Sequence, residues 1–417
     1  MKFKVLVYSI LLVFGFNANT ICAAKKDKEL KLSIRQLTDK YYPNGEFNFG
    51  ASSMQQYFKK PDEKAARYFN EFSYNTPENS FKQSGVYPEP NAKWNADEYR
   101  YFIEKAREHK QLIRCHGPIS PQCSRWAMAD NRTPEELEVV LNHYLTTLSK
   151  DLEANKDVVK WMDVVNEVFS GSPQKGIGYQ GKETEDIIKY QADDWFGPKK
   201  GDKDWQNPWT IMGFEHVTFQ GKELEIPKYV LEAFKIANKN APSVKLIWND
   251  HGKTTNLKIF EKLKTTILYL RSIGLRVDGI GWQAHVNLGW EKDPENITNL
   301  ESVIDWCYQN KLEFHITELD VTLKLPKGSA LTIPEYIKNT RTEQSETFGA
   351  LTETMLKKVG KGANSMNVWT MYDHIHGDMI FAGLFDKDGV PNPAYNRVKE
   401  MLIKYGQLNK AVSVSKK

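Results

Sequence analysis

Short apolar runs alternate with longer amphipathic stretches along most of the chain. The runs FNFGAS (47–52), NEFSYNT (70–76), QLIRCHG (111–117), VKWMDVVNE (159–167), VKLIWND (244–250), VDGIGWQAH (277–285), EFHITELDV (313–321) and SMNVWTMYD (365–373) have the length and the β-branched and aromatic content of strands. Between them, ADEYRYFIEKAREHK (96–110), PEELEVVLNHYLTTLSKDLEA (134–154), YVLEAFKIANKNA (229–241), LESVIDWCYQN (300–310) and SETFGALTETMLKKVG (345–360) carry apolar residues three and four apart, the period of a helix buried on one face. Eight strand-length runs separated by helical patterns, with no Pro/Ser-rich linker, predict an α/β chain folded as a single (β/α)8 barrel over roughly residues 30–410. The stretch from about 169 to 227 is too long for an ordinary connection and is read as a loop insertion.

Polar groups collect at one end of these runs. Glu78, Lys82, His116, Asn166, Glu167, Asn249, Asp250, His285, Glu318, Asp320 and Asp373 all fall at or just after a strand's C-terminal end, the face on which a barrel builds its active site. VKWMDVVNEVF is the sharpest case. An apolar strand ends in adjacent Asn166 and Glu167, which marks either a strand reaching solvent or the mouth of a functional cavity. Barrel closure can bring Glu167, after the fourth strand, across the mouth from Glu318 near the end of the seventh. Two facing carboxyl groups are the minimum equipment of glycoside hydrolysis, one to donate a proton and one to attack or to activate water; the alternative is a Glu318 paired with a rim Lys or Arg.

Composition adds limits to this picture. A net charge of +4 over 417 residues, with lysines scattered, gives no electrostatic footprint for nucleic acid. The start MKFKVLVYSILLVFGFNANTICAA has a basic head, an apolar stretch too short to span a membrane, and small residues at Ala23 and Ala24. Residues 1–24 are therefore expected to be a secretory signal, and 25–417 an exported, soluble catalytic domain, secreted or periplasmic and without a membrane partner. Beyond that leader stand Cys115, Cys123 and Cys307, an odd number; Cys115 and Cys123 are near enough in sequence to close a local loop. No His/Cys/carboxylate spacing points to a metal, and DHIHGD (373–378) is read as a loop lining the cleft.

The motifs TPENSFK, WMDVVNEVF, VDGIGWQAHV and FHITELDV, in this order, resemble glycoside hydrolase family 10, whose usual members are retaining endo-β-1,4-xylanases. The resemblance runs from about Phe47 to LFDKDGVPNPAYNRVKEML near the end. It implies Glu167 as acid/base, Glu318 as nucleophile, Asn166 on the sugar 2-hydroxyl and His285 hydrogen-bonded to the nucleophile. It further implies sugar contacts from Glu78, Asn79, Lys82, His116, Gln283 and Trp369, a xylan or related β-glycan as substrate, no cofactor, and action as a monomer. A substituted or different β-linked polysaccharide, such as an algal one, and a barrel that binds polysaccharide without cleaving it are the alternatives.

The chain departs from the family pattern at two places. RCHGPISPQCSRW keeps His116 but has Ser120 and Pro121 where the family carries Trp and a second His, and in VWTMYDHIHG the later family tryptophan falls on Gly377. Trp126, Trp282, His374 and His376 are candidates to rebuild the missing walls. Trp195, Trp205 and Trp209 in the insertion are either sugar platforms or a self-packed cluster, and Trp282 leans toward core packing.

Overall fold

The computed structural model describes residues 28–56, 62–129, 131–169, 195, 207–251 and 257–415. The expected leader, Trp205 and most of the expected insertion lie outside these residues. Eight parallel strands close on themselves: β1 (Asn48–Ser53), β2 (Tyr74–Pro77), β3 (Leu112–Cys115), β4 (Val159–Asn166), β5 (Lys245–Asp250), β6 (Gly279–Trp282), β7 (Glu313–Lys324) and β8 (Ala363–Val368), with β8 pairing back onto β1. This is a (β/α)8 barrel with helices outside it. Its strands are buried on both faces, which is why they read as near-continuous apolar runs.

The helices start where their sequence says they should. Thr133 and Glu136 form a capping box ahead of Pro134–Ala154, and Thr332 with Glu335 does the same for Ile333–Lys357, each with a proline in the first turn. Leu137, Leu141, Tyr144, Leu148 and Leu152 line the buried stripe of the first of these.

Four boundaries differ from the sequence pattern. Asn70 and Glu71 close the helix Glu63–Glu71, so β2 begins only at Tyr74. The run 277–285 breaks after Trp282 because Ala284 takes a φ of 60°, and a separate short strand His285–Asn287 pairs with the far part of β7. That extension of β7 also pairs, antiparallel, with Met379–Ala382 of a hairpin completed by His374–His376, so β8 itself stops at Val368. The described part of the expected insertion holds an antiparallel hairpin, Phe214–Phe219 with Lys222–Pro227, where a loop was expected.

Register across the barrel aligns the residues that matter. Asn166 of β4 sits beside Asn249 of β5, and Asn249 beside Gly281 of β6. A Cβ on Gly281 would run into Asn249 Oδ1 and the Thr317 methyl, so the glycine leaves the barrel interior open for the Asn249 amide.

Candidate active site

The end of β4 is unusual in its backbone. Glu167, just past Asn166, has a φ of 55°, a left-handed conformation uncommon outside glycine, and its N–H bonds the Asn249 carbonyl at 3.2 Å. Glu167 is half-buried. Glu318 is only 3% exposed and lies within β7, where the pairing with β8 slips between Ile316 and Leu319; its N–H bonds the Gln283 carbonyl at 3.0 Å.

An unbroken chain of amides joins the two carboxyl groups. Gln283 Nε2 donates to Glu167 Oε1 at 3.0 Å and to Asn166 Oδ1 at 3.2 Å. Asn249 Nδ2 donates to the same Asn166 oxygen at 2.7 Å and to Glu318 Oε1 at 2.8 Å, while Thr317 Oγ1 donates to Asn249 Oδ1 at 2.7 Å. Each donor nitrogen has spent both hydrogens and Asn166 Oδ1 has taken two.

Basic side chains surround Glu318. Below it, fully buried Arg114 pairs with Asp163, donating from Nε to Oδ1 at 3.0 Å and from Nη1 to the Thr317 carbonyl at 3.2 Å. His116 Nδ1 stands 3.1 Å from Asp163 Oδ2 and 3.6 Å from Glu318 Oε1. On the other side His285 Nε2 lies 3.4 Å from Glu318 Oε2, and its Nδ1 lies 2.6 Å from Asp320 Oδ2. Burial pushes the Glu318 carboxyl up, but His116, His285 and Arg114 outweigh it and hold the pKa down at about 2. Desolvation works against charge on His285, yet Asp320 and Glu318 raise its pKa well above the ordinary histidine value. Lys82, 4% exposed and bonded to Gln122 Oε1, is lowered by burial despite the attraction of Glu167, Glu78 and Glu318.

The residues singled out in the sequence thus fall at one mouth. Trp369 presents its ring edgewise to His116 at 5.0 Å and to His285 at 6.4 Å. Half-buried Glu78 and exposed Asn79 follow β2, with Lys82 N–H bonded to the Asn79 carbonyl at 3.1 Å. Asp373 is the exception: it bonds Arg341 and, at 3.2 Å, the Gly383 N–H, anchoring the last loop to the helix Ile333–Lys357. Arg114 and Asp163 received no role from the sequence; the available signal was an ionisable residue in the middle of an otherwise apolar strand.

The tryptophans resolve toward packing. Trp195 stacks on Phe169 at 4.6 Å, Trp209 is fully buried and donates to the Ser120 carbonyl at 3.1 Å, and Trp282, 5% exposed, lies against Trp290. Trp126 is covered by Arg132 at 4.7 Å. His374 and His376 are exposed on their hairpin, and Gly377 turns it with a φ of 62° and nothing within 4 Å of where a Cβ would stand. Cys115, Cys123 and Cys307 are all free thiols, so the local loop between the first two is not bridged.

A family profile described as glycosyl hydrolase family 10 matches residues 36–189 and 218–401. Among curated relatives, the endo-1,4-beta-xylanase A of Caldicellulosiruptor saccharolyticus is 25% identical over 80% of this chain and 86% of its own, and the endo-1,4-beta-xylanase A of Humicola insolens is 25% identical over 80% and 74%. Among solved structures, xylanase 10B of Thermotoga maritima superposes with a TM-score of 0.66 at 22% identity, over 90% of this chain and 99% of that one. Xylanase 10B of Thermotoga petrophila in complex with xylobiose gives 0.67 at 23%, over 90% and 98%. With the profile spanning most of the chain and the barrel shared throughout, this protein belongs to glycosyl hydrolase family 10.

Proposed function

We propose that this glycoside hydrolase is a retaining endo-β-1,4-xylanase in which Glu318 is the nucleophile and Glu167 the acid/base. The observation that carries this reading is the asymmetry of the two carboxyl groups. Glu318, buried among His116, His285 and Arg114, is ionised across the working pH range and is fixed by Asn249 and His285. Glu167, half-buried at the open side, holds one amide donor on Oε1. In the first step Glu318 attacks the anomeric carbon as Glu167 gives its proton to the leaving glycosidic oxygen; in the second, Glu167 takes a proton from water, which displaces Glu318.

The Asn166 Nδ2 hydrogens suit the 2-hydroxyl of the sugar under attack. Lys82, His116, Glu78, Asn79, Gln283 and Trp369 surround the sugar held on the non-reducing side. Xylan is the substrate named for the similar proteins, several called endo-1,4-beta-xylanase and one solved with xylobiose. The enzyme would act as a monomer outside the cytoplasm, exported by residues 1–24.

The test is digestion of xylans, mixed-linkage glucans and algal polysaccharides with products resolved by size. Early release of mixed xylo-oligosaccharides supports the reading, and monosaccharide alone or no release from xylan refutes it. A second substrate reading, a C5-substituted or decorated sugar, rests on Gly377 standing where the family pattern carries a tryptophan, with nothing within 4 Å of where its Cβ would be.

A further inference from the structure

Beside Glu167 lies another carboxyl group, one that the displacement chemistry leaves unused. Asp250, 5% exposed at the end of β5, accepts through a single oxygen, Oδ2, the consecutive N–H groups of Val168 at 3.0 Å and Phe169 at 3.3 Å. Those are the two residues that follow Glu167. Consecutive N–H groups converging on one anion after a left-handed residue form a small anion-binding nest, and here the anion comes from the protein itself. The Asp250 carbonyl meanwhile accepts the Gln283 N–H at 3.1 Å, and the Gln283 side chain is the donor on Glu167 Oε1. Burial makes a carboxylate costly at this position and pushes its pKa up, in spite of His251 and the two N–H donors.

We infer that Asp250 is the positioning residue of the proton donor: its side chain holds the left-handed backbone that aims Glu167, and its main chain holds the amide that orients the Glu167 carboxyl. The inference rests on Glu167 being the acid/base. Misaiming a proton donor hurts only bonds whose leaving group needs a proton, so the defect has a signature that a general loss of structure lacks.

The experiment measures kcat/KM, which reports the first chemical step, for aryl β-xylobiosides whose leaving groups run from 2,4-dinitrophenol to phenol, in wild type, E167A, D250A, D250N and D250E. D250A is expected to lose about tenfold to a hundredfold on the phenyl substrate but within about threefold on the dinitrophenyl one. D250N, which keeps an acceptor oxygen, recovers most of the loss. D250E keeps the charge but moves it by one methylene, and shows a smaller loss of the same form; it carries the test if D250A fails to fold. Equal losses on all leaving groups, or wild-type values on the phenyl substrate for D250A and D250E, overturn the inference. A flat response in E167A instead sinks the assignment of Glu167, a separate result.

Discussion

Replacing His285 with Gln removes the cation nearest the nucleophile, and the size of the effect follows from its contacts. His285 stands 3.4 Å from Glu318 Oε2 and 2.6 Å from Asp320 Oδ2. A hydrogen bond to a charged group contributes about 1.5–3 kcal/mol, and about 1.4 kcal/mol corresponds to one pKa unit. Losing it raises Glu318 from about 2 by roughly one to two units. Asp320, left without its imidazole, pushes the same way. Glu318 works ionised, so activity present above its pKa disappears earlier as pH falls. The acid limb of kcat/KM for 2,4-dinitrophenyl β-xylobioside, a substrate that needs no proton from Glu167, therefore moves to higher pH by about one to two units. Return of full activity after neutralisation separates titration from unfolding. An acid limb in the wild-type position, or displaced to lower pH, refutes the electrostatic account of Glu318.

Glu318→Ala abolishes turnover of natural substrates, and added azide or formate restores cleavage of activated glycosides with inverted stereochemistry, read by NMR of the product. Glu167→Ala costs far more on phenyl than on dinitrophenyl xylobioside in kcat/KM; equal losses count against the acid role. At the opposite end of the barrel Glu313 is pushed up by burial but held at about 2 by His315, Lys245 and Trp161, the last donating at 3.0 Å. The depressed pKa gives stability of about 3 kcal/mol that is complete above the unfolded value and is lost as pH falls toward 2, so in chemical denaturation the wild-type advantage over Glu313→Gln narrows from about pH 5 downward. Gly377→Trp shifts the kcat/KM ratio of aryl xylobioside to aryl cellobioside toward the xyloside; an unchanged ratio shows that the hairpin turn does not border the sugar.

The barrel was legible because its strands are buried on both faces and its helices on one, which writes two periods into the sequence. The boundary errors have physical causes. Ala65, Tyr68, Phe69 and Phe72 carry the helical spacing into what reads as the second strand, and the extension of β7 exists only because two distant segments, His285–Asn287 and Met379–Ala382, flank it. The carboxylates were legible by position, at strand ends. Their support was not: the bridge through Asn249, Asn166 and Gln283 depends on the register of three neighbouring strands, and the Arg114–Asp163 pair depends on the register of β3 against β4. The insertion tryptophans were ambiguous because a sugar and a protein core offer an indole the same apolar contact; only burial separates the two.

The most direct test of the account is where a covalent intermediate forms. Incubation with 2,4-dinitrophenyl 2-deoxy-2-fluoro-β-xylobioside, followed by proteolysis and mass spectrometry of the peptides, is expected to find one fluorinated xylobiosyl group, attached to Glu318 within FHITELDV. Label on Glu167, or an enzyme that stays unlabelled while it cleaves xylan, contradicts it.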